Sequence, residues 1–228
     1  MPIHLMREIE RVKKDILTVG AIAELSVREA TLSLHQRDEK LAIGVIEQDT
    51  KIDEMEVELE ESCLKILALH QPVAVDLRFI VAALKINNEL ERVGDLAVNI
   101  AERSLFLATV PKVDISFDFV GMATKVQEML KNSLDSLVNF NLALAQQVCQ
   151  DDDDVDAMNR QMYILVQEAI HQHPNQTEAL IHLLSASRHL ERIADHATNI
   201  AEDVIYMIQG EVVRHRTEEY RSSNAEVS

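Results

Sequence analysis

Glycine and proline are scarce, five and four among 228 residues. That is about 4% of the chain where average usage is roughly 12%, so turns are few and elements long. Collagen-like and loop-rich architectures are excluded. Two cysteines, Cys63 and Cys149, form no CxxC pair and no disulfide framework; they read as small core residues in a reducing compartment. Basic residues are also few: 22 Lys and Arg against 39 Asp and Glu leave a formal charge of −17. Such a surface repels nucleic acid phosphates and anionic membranes, so no nucleic acid partner is expected. No run of about 18 apolar residues exists, which excludes direct membrane insertion. Arg7, Glu8 and Glu10 interrupt the N-terminus before a secretory apolar region can form. The expectation is a cytoplasmic protein, and the 47% apolar content is ordinary for a globular one.

What is present is helical periodicity. Leu5, Ile9, Val12, Ile16, Val19 and Ala23 recur at steps of three and four, the stripe of an amphipathic helix that runs to about Gln36. A second helix is predicted over Asp38 to His70 and a third over Val73 to Leu107, with a turn at Pro72. The segment Thr109 to Asp118 lacks the period. Further helices are predicted over Phe119 to Val148, over Asp152 to His171, and from the Pro174 turn to Gly210, a favoured C-cap residue. The predicted class is all-α: two tandem antiparallel three-helix bundles related by internal duplication. The first covers residues 1–110, a linker 111–118, the second bundle 119–216 and a polar tail 217–228.

The duplication is visible directly. Residues 90–102 read LERVGDLAVNIAE and residues 190–202 read LERIADHATNIAE, identical at nine of thirteen positions. With Glu91 at 0° on a helical wheel, Asp95, Asn99 and Glu102 fall at about 40°, 80° and 20°. Leu90, Val93, Ala97, Ile100 and Ala101 lie opposite. Glu191, Asp195, Asn199 and Glu202 repeat the stripe. An acidic stripe opposite a core face is ordinarily a solvated face. Here, however, carboxylates four apart repel and no cation separates them.

The preceding helix of each half carries a matching acid pair, Asp49 with Asp53 and Asp152 with Asp156. In an antiparallel hairpin the numbers of facing residues have a constant total. Asp53 with Glu91 and Asp49 with Asp95 both total 144, which puts the turn at Pro72; Asp156 with Glu191 and Asp152 with Asp195 both total 347, which puts it between His173 and Pro174. Four carboxylates therefore meet at one height in each half. Such a cluster stays ionised only with a cation between its members, and all-oxygen donors suit Fe, Mn, Mg or Ca, and Zn less well.

The stretch Pro72-Val-Ala-Val-Asp-Leu-Arg78, followed by Glu91-Arg-Val-Gly-Asp95 and Asn99-Ile-Ala-Glu102, closely resembles the PhoU family of regulators of bacterial phosphate-specific transport. Glu191-Arg-Ile-Ala-Asp195 and Asn199-Ile-Ala-Glu202 match that family's repeat. The resemblance implies a six-helix, two-bundle molecule and a multinuclear metal cluster, iron or zinc being favoured. The implied ligands are Asp49, Asp53, Glu91 and Asp95, then Asp152, Asp156, Glu191 and Asp195. It also implies a homodimer and a non-enzymatic regulator of phosphate homeostasis that keeps the phosphate-starvation regulon off. Its partners would be the importer ATPase (PstB-like) and a phosphate sensor kinase (PhoR-like). One departure is plain: Glu178-Ala-Leu180 stands where the first half has Asp76-Leu-Arg78, so no role of Arg78 is duplicated.

Two rival readings stay open. A metal-independent helical scaffold would use the repeated block as a contact surface. A carboxylate-bridged dimetal enzyme needs Glu-x-x-His from two helices, and only Glu168-Ala-Ile-His171 fits. His182, His189 and His196 lie seven apart, away from the carboxylate arc, and read as positions bordering the core, with zinc the alternative. The run Asp151 to Asp154 also has a plain explanation, since aspartates are favoured at a helix start. Basic residues around Arg11 to Lys14 and Arg214 to Arg216 are local exceptions to the acidic surface.

Overall fold

The computed structural model describes residues 3–210, and those residues form six α-helices and one short 3₁₀ turn, with no strand among them. The helices are α1 (Ile3–Gln36), α2 (Glu39–His70), α3 (Ala74–Thr109), α4 (Phe119–Asn139), α5 (Leu142–Gln172) and α6 (Thr177–Gln209). The tail 217–228, the segment 211–216 and the Arg214–Arg216 patch lie outside the described residues.

Local chemistry sets the helix ends. Asp38 caps α2, its carboxylate accepting from the Lys40 and Leu41 amides at 2.9 and 3.3 Å. Asp118 does the same for α4 through the Gly121 amide at 2.8 Å. Gly210 closes α6 at φ 75°, a left-handed conformation that glycine adopts without steric cost. The extended stretch before α4 is anchored by buried Val113 and by an edge-to-face contact between Phe117 and Phe119.

The fourth helix is shorter than expected, and this is a correction. Instead of running to Val148 it ends at Asn139; Phe140 adopts φ 52°, and Asn141 caps α5 by accepting from the Leu144 amide at 3.1 Å. The Asn-Phe-Asn segment makes the turn, and the four aspartates expected near a helix start lie in the middle of α5. Their placement therefore owes nothing to a helix dipole.

Helices α1–α3 pack as one bundle and α4–α6 as another, and α1 and α3 of the first lie against α4 and α6 of the second. The buried side chains of both form one continuous apolar cluster. The whole α1 stripe from Leu5 to Ala23 is inside it, each large side chain contributing about 1.5–3 kcal/mol. Gly20 lets α1 pack tightly on α4: a β-carbon there would sit 2.2 Å from Leu134 Cδ1. The hairpin register is as the sequence predicts, since the Asn87 amide donates to the Glu56 carbonyl at 2.8 Å and these numbers total 143. In the second half Ser187 donates to Asn159 at 2.8 Å, a total of 346.

Gly20 and Gly44, both inside helices, should respond oppositely to a side chain. Gly44 meets nothing within 4 Å, so Gly44→Ala gains about 0.5–1 kcal/mol of helix propensity. Gly20→Val overfills a closed interface and loses about 1–3 kcal/mol. Thermal melts should move up for the first and down for the second; a downward shift for both would mean that helix α2 does not carry Gly44 on an open face.

Candidate functional site

Each half presents its carboxylates on the two helices of its second hairpin, α2 with α3 and α5 with α6. Asp49 and Glu91 are half-buried, and Asp53 and Asp95 are exposed; Asp152, Asp156 and Glu191 are half-buried, and Asp195 is exposed. Burial, then the charges of Asp53 and Asp95, push the Asp49 pKa up to about 6. Burial, then Asp195, Asp156, Asp153 and Glu191, push Asp152 up to about 6 as well. Glu91, Glu191 and Asp195 are raised for the same two reasons, with burial the larger. Charge from the facing helix thus reaches Asp49 and Glu91 in the first half and Asp152 and Glu191 in the second, as the hairpin register requires.

Two local features shape the clusters. Gly94 gives Asp49 its place: a β-carbon at 94 would sit 2.9 Å from Asp49 Oδ1 and 3.0 Å from Ile52 Cδ1. The second half has Ala194 at the equivalent position. Asp156 is drawn sideways by Arg160, whose Nη1 donates to it at 3.2 Å. Among the described residues no three His, Cys, Asp or Glu side chains converge closely enough to enclose an ion. The donor chemistry nonetheless fits a hard cation. Asp152 Oδ1 is buried with no hydrogen-bond partner, and the carboxylates around it raise its pKa.

The flanking members of the predicted stripe behave differently. The Asn99 amide donates to the Asp95 carbonyl on its own helix at 2.7 Å, and the Asn199 amide donates across to Glu89 at 3.2 Å. Glu102 is exposed and Glu202 half-buried. The His stripe does border the core. His196 bonds Glu89 at 2.5 Å, His189 meets Ser185 at 3.2 Å, and His182 stacks on Phe106 with ring centroids 3.8 Å apart. The basic stretch Arg11 to Lys14 is partly compensated, Arg11 by Asp15 at 3.6 Å and Lys13 by Glu10 at 2.7 Å.

Sequence reasoning missed Glu89. It lies at the α3–α6 seam, and although burial raises its pKa, hydrogen bonds from His196 and Asn199 with the charges of His196 and Arg92 bring it below the ordinary range. It sits two residues from Glu91, and its only signal was that residue 189, its counterpart, is a histidine. The structure also gives Arg78 a partner. Its Nε donates to the Met207 carbonyl at 3.0 Å, placing a cation at the C-terminal end of α6.

A duplicated all-helical fold with an acidic cluster on each hairpin defines a class of two-bundle helical protein. Residues 16–104 and 119–204 each match the PhoU domain, and the chain belongs to that family. A PhoU homolog named as a phosphate-specific transport system accessory protein from Aquifex aeolicus is 37% identical over 212 residues, covering 93% of this chain and 96% of the relative. One with the same description from Clostridium acetobutylicum is 35% identical over 207 residues, covering 90% and 94%. The crystal structure of PhoU from Pseudomonas aeruginosa superposes with a TM-score of 0.84 at 35% identity, covering 90% of this chain and 99% of that one. The phosphate transport system regulatory protein PhoU from Streptococcus pneumoniae gives 0.82 at 26% identity, covering 92% and 99%. These relatives are named for transport and its regulation, and no helix among the described residues here is long and apolar enough to cross a membrane.

The raised carboxylates predict a pH dependence of the metal-free protein. Asp49 and Asp152 hold a proton more tightly folded than unfolded, so each removes stability as pH rises from about 4 through 6. His189 acts in the opposite sense, because burial and the neighbouring arginines lower its pKa to about 4. The difference between variant and parent isolates the acids. Asp49→Asn with Asp152→Asn should melt about 2 °C or more above the parent at pH 7.5, the gap narrowing as pH falls through 6 and closing towards pH 4. A gap that is absent at pH 7.5 would mean the carboxylates do not strain each other.

Proposed function

We propose that the protein is a cytoplasmic regulator of phosphate uptake that keeps the phosphate-starvation regulon off. It does so without catalysis, by docking the ATPase of the phosphate importer and a phosphate-responsive sensor kinase, and it works as a homodimer. The observation that carries the reading is the match of both halves to one family whose members here are named accessory proteins of phosphate-specific transport. Alignment over 90% or more of the chain supports reading both bundles as parts of one functional unit.

The acidic clusters supply the docking face in this reading. Asp49, Asp53, Glu91 and Asp95 would hold one group of ions, and Asp152, Asp156, Glu191 and Asp195 another, with Asn99, Glu102, Asn199 and Glu202 at the margins. A bound cation cluster, iron or zinc by the family resemblance, with Mn, Mg or Ca as further candidates, would neutralise the carboxylates and present positive charge to a partner's acidic or phosphoryl group. The residues themselves bring the rigid frame: Gly94 seats Asp49 against α3, and the Asn87 and Ser187 hydrogen bonds hold the hairpins in register.

A metal-independent adaptor is the second reading, favoured by the lack of a closed donor set among the described residues. The dimetal enzyme has less support, since Glu168 and His171 are both exposed near the end of α5.

Elemental analysis of protein purified without chelator, joined to melts before and after EDTA, separates the first two. The metal-bearing reading expects stoichiometric metal and a lower melting temperature after chelation. Asp95→Ala with Asp195→Ala should bring metal content below about a tenth of the parent's, with the helical circular dichroism unchanged. Full metal content in that variant overturns the ligand assignment. Pull-down with the importer ATPase and with the sensor kinase's cytoplasmic region tests the docking role, and loss of neither interaction in the variant would detach docking from the carboxylates.

A further inference from the structure

Where the two bundles meet the connecting segment, the chain leaves a cavity of about 170 Å³. Its walls come from the ends of α1 and α3, the stretch 111–115, the start of α4 and Leu183 of α6. Most of the lining is apolar, and within it Leu34, Leu107, Val113 and Phe119 are buried. An apolar cavity of about 150 Å³ holds one benzene ring. The space therefore fits a compact apolar group and little more.

The polar part of the lining is basic throughout. It consists of His35, Arg37 and Lys112, with no Asp or Glu, in a chain where Asp and Glu outnumber Lys and Arg by 39 to 22. The acids next to it in sequence are engaged elsewhere or stand outside. The Asp38 carboxylate accepts from the Lys40 and Leu41 amides, Asp118 accepts from the Gly121 amide, and Asp114 is exposed and not part of the lining. Arg37 follows α1 at φ 58°, in the left-handed region. Its Nη2 donates to the Leu107 and Val110 carbonyls at the end of α3. Both two-nitrogen edges of a guanidinium include Nη2, so neither stays whole for a ligand, while Nε and Nη1 keep single donors. None of the three basic residues enters a salt bridge among the described residues.

We infer that this cavity is a binding site for a small organic monoanion, a carboxylate carried on a compact apolar body such as a single ring. The apolar walls take the body, and the basic residues take the carboxylate. Inorganic phosphate is disfavoured, because it brings no apolar surface and its charge loses water against apolar walls. A dianion also calls for the paired donors that Arg37 has given to α3. In a molecule of charge −17, an acid-free lining gives anions a local refuge from a surface that otherwise repels them. Both bundles and the connecting segment contribute walls, so an occupant ties the bundles together. The inference rests on neither the carboxylate clusters nor the docking role, and it stands if either reading fails.

The test uses the full chain at constant ionic strength, with benzoate as the probe. Amide shifts on titration should saturate below about 10 mM and centre on residues 34–37 and 107–119. Benzyl alcohol, which keeps the ring without the charge, and acetate, which keeps the charge without the ring, should each bind about tenfold or more weaker. His35→Gln with Lys112→Gln, both exposed positions, should weaken benzoate about threefold or more. Lys65→Gln, an exposed cation on α2, should leave it unchanged. Leu183→Trp fills the cavity and should abolish the response. No saturable response, or shifts centred elsewhere, overturns the site. Benzyl alcohol or inorganic phosphate binding there as tightly as benzoate overturns the assignment of the ligand class. If the Leu183 variant fails to fold, the location of the shifts in the parent decides alone.

Discussion

The seam between α3 and α6 is the constraint on which the rest of the molecule depends. Both helices carry their carboxylates on one side, towards α2 and α5, and meet along a strip that is the most extensive contact between two helices among the described residues. That strip holds polar groups, and a buried charge is tolerated only when paired. Asp203, only 2% exposed, is met by Lys85, and Glu89 by His196 and Asn199. Arg78 extends the same seam to the end of α6. One strip thus joins the bundles and fixes where the two acidic faces lie.

Duplication normally predicts equivalent halves, and here it predicts them only where a core or a carboxylate is involved. The acidic pairs, the hairpin registers and the apolar arcs recur. The seam does not, because an antiparallel contact between repeats pairs each position with a different one. A substitution in one repeat changes one end of the seam only, so the ends are free to acquire different chemistry. One became a set of compensated ion pairs, and the other collected arginines and histidines. The hairpins also differ, away from the seam: Gly94 stands against Ala194, and Arg160 beside Asp156 has no counterpart beside Asp53.

Much of the fold was legible in the chain because its signals are local. The stripe from Leu5 to Ala23, the Asp38 and Asp118 caps and the Gly210 terminator each act within a turn of helix. The turn at Phe140 was not legible from periodicity: apolar residues continue through it, and the informative groups were Asn139 and Asn141, which fit a helix interior or a cap equally well. The facing of Asp49 with Asp95 and of Asp152 with Asp195 was also readable, since a tight turn and a fixed rise per residue leave a single register.

The sequence by itself therefore determined six long helices, two hairpins and two clusters of four carboxylates, all consequences of spacing along one chain segment. Tertiary structure decided which helices of one bundle touch the other, and so which polar groups are buried together. Glu89 and His196, like Lys85 and Asp203, are separated in the chain by more than a hundred residues, too far for periodicity to relate them. Their pairing follows from how two twisted bundles fill the space between them, which is settled by side-chain volume across the whole interface.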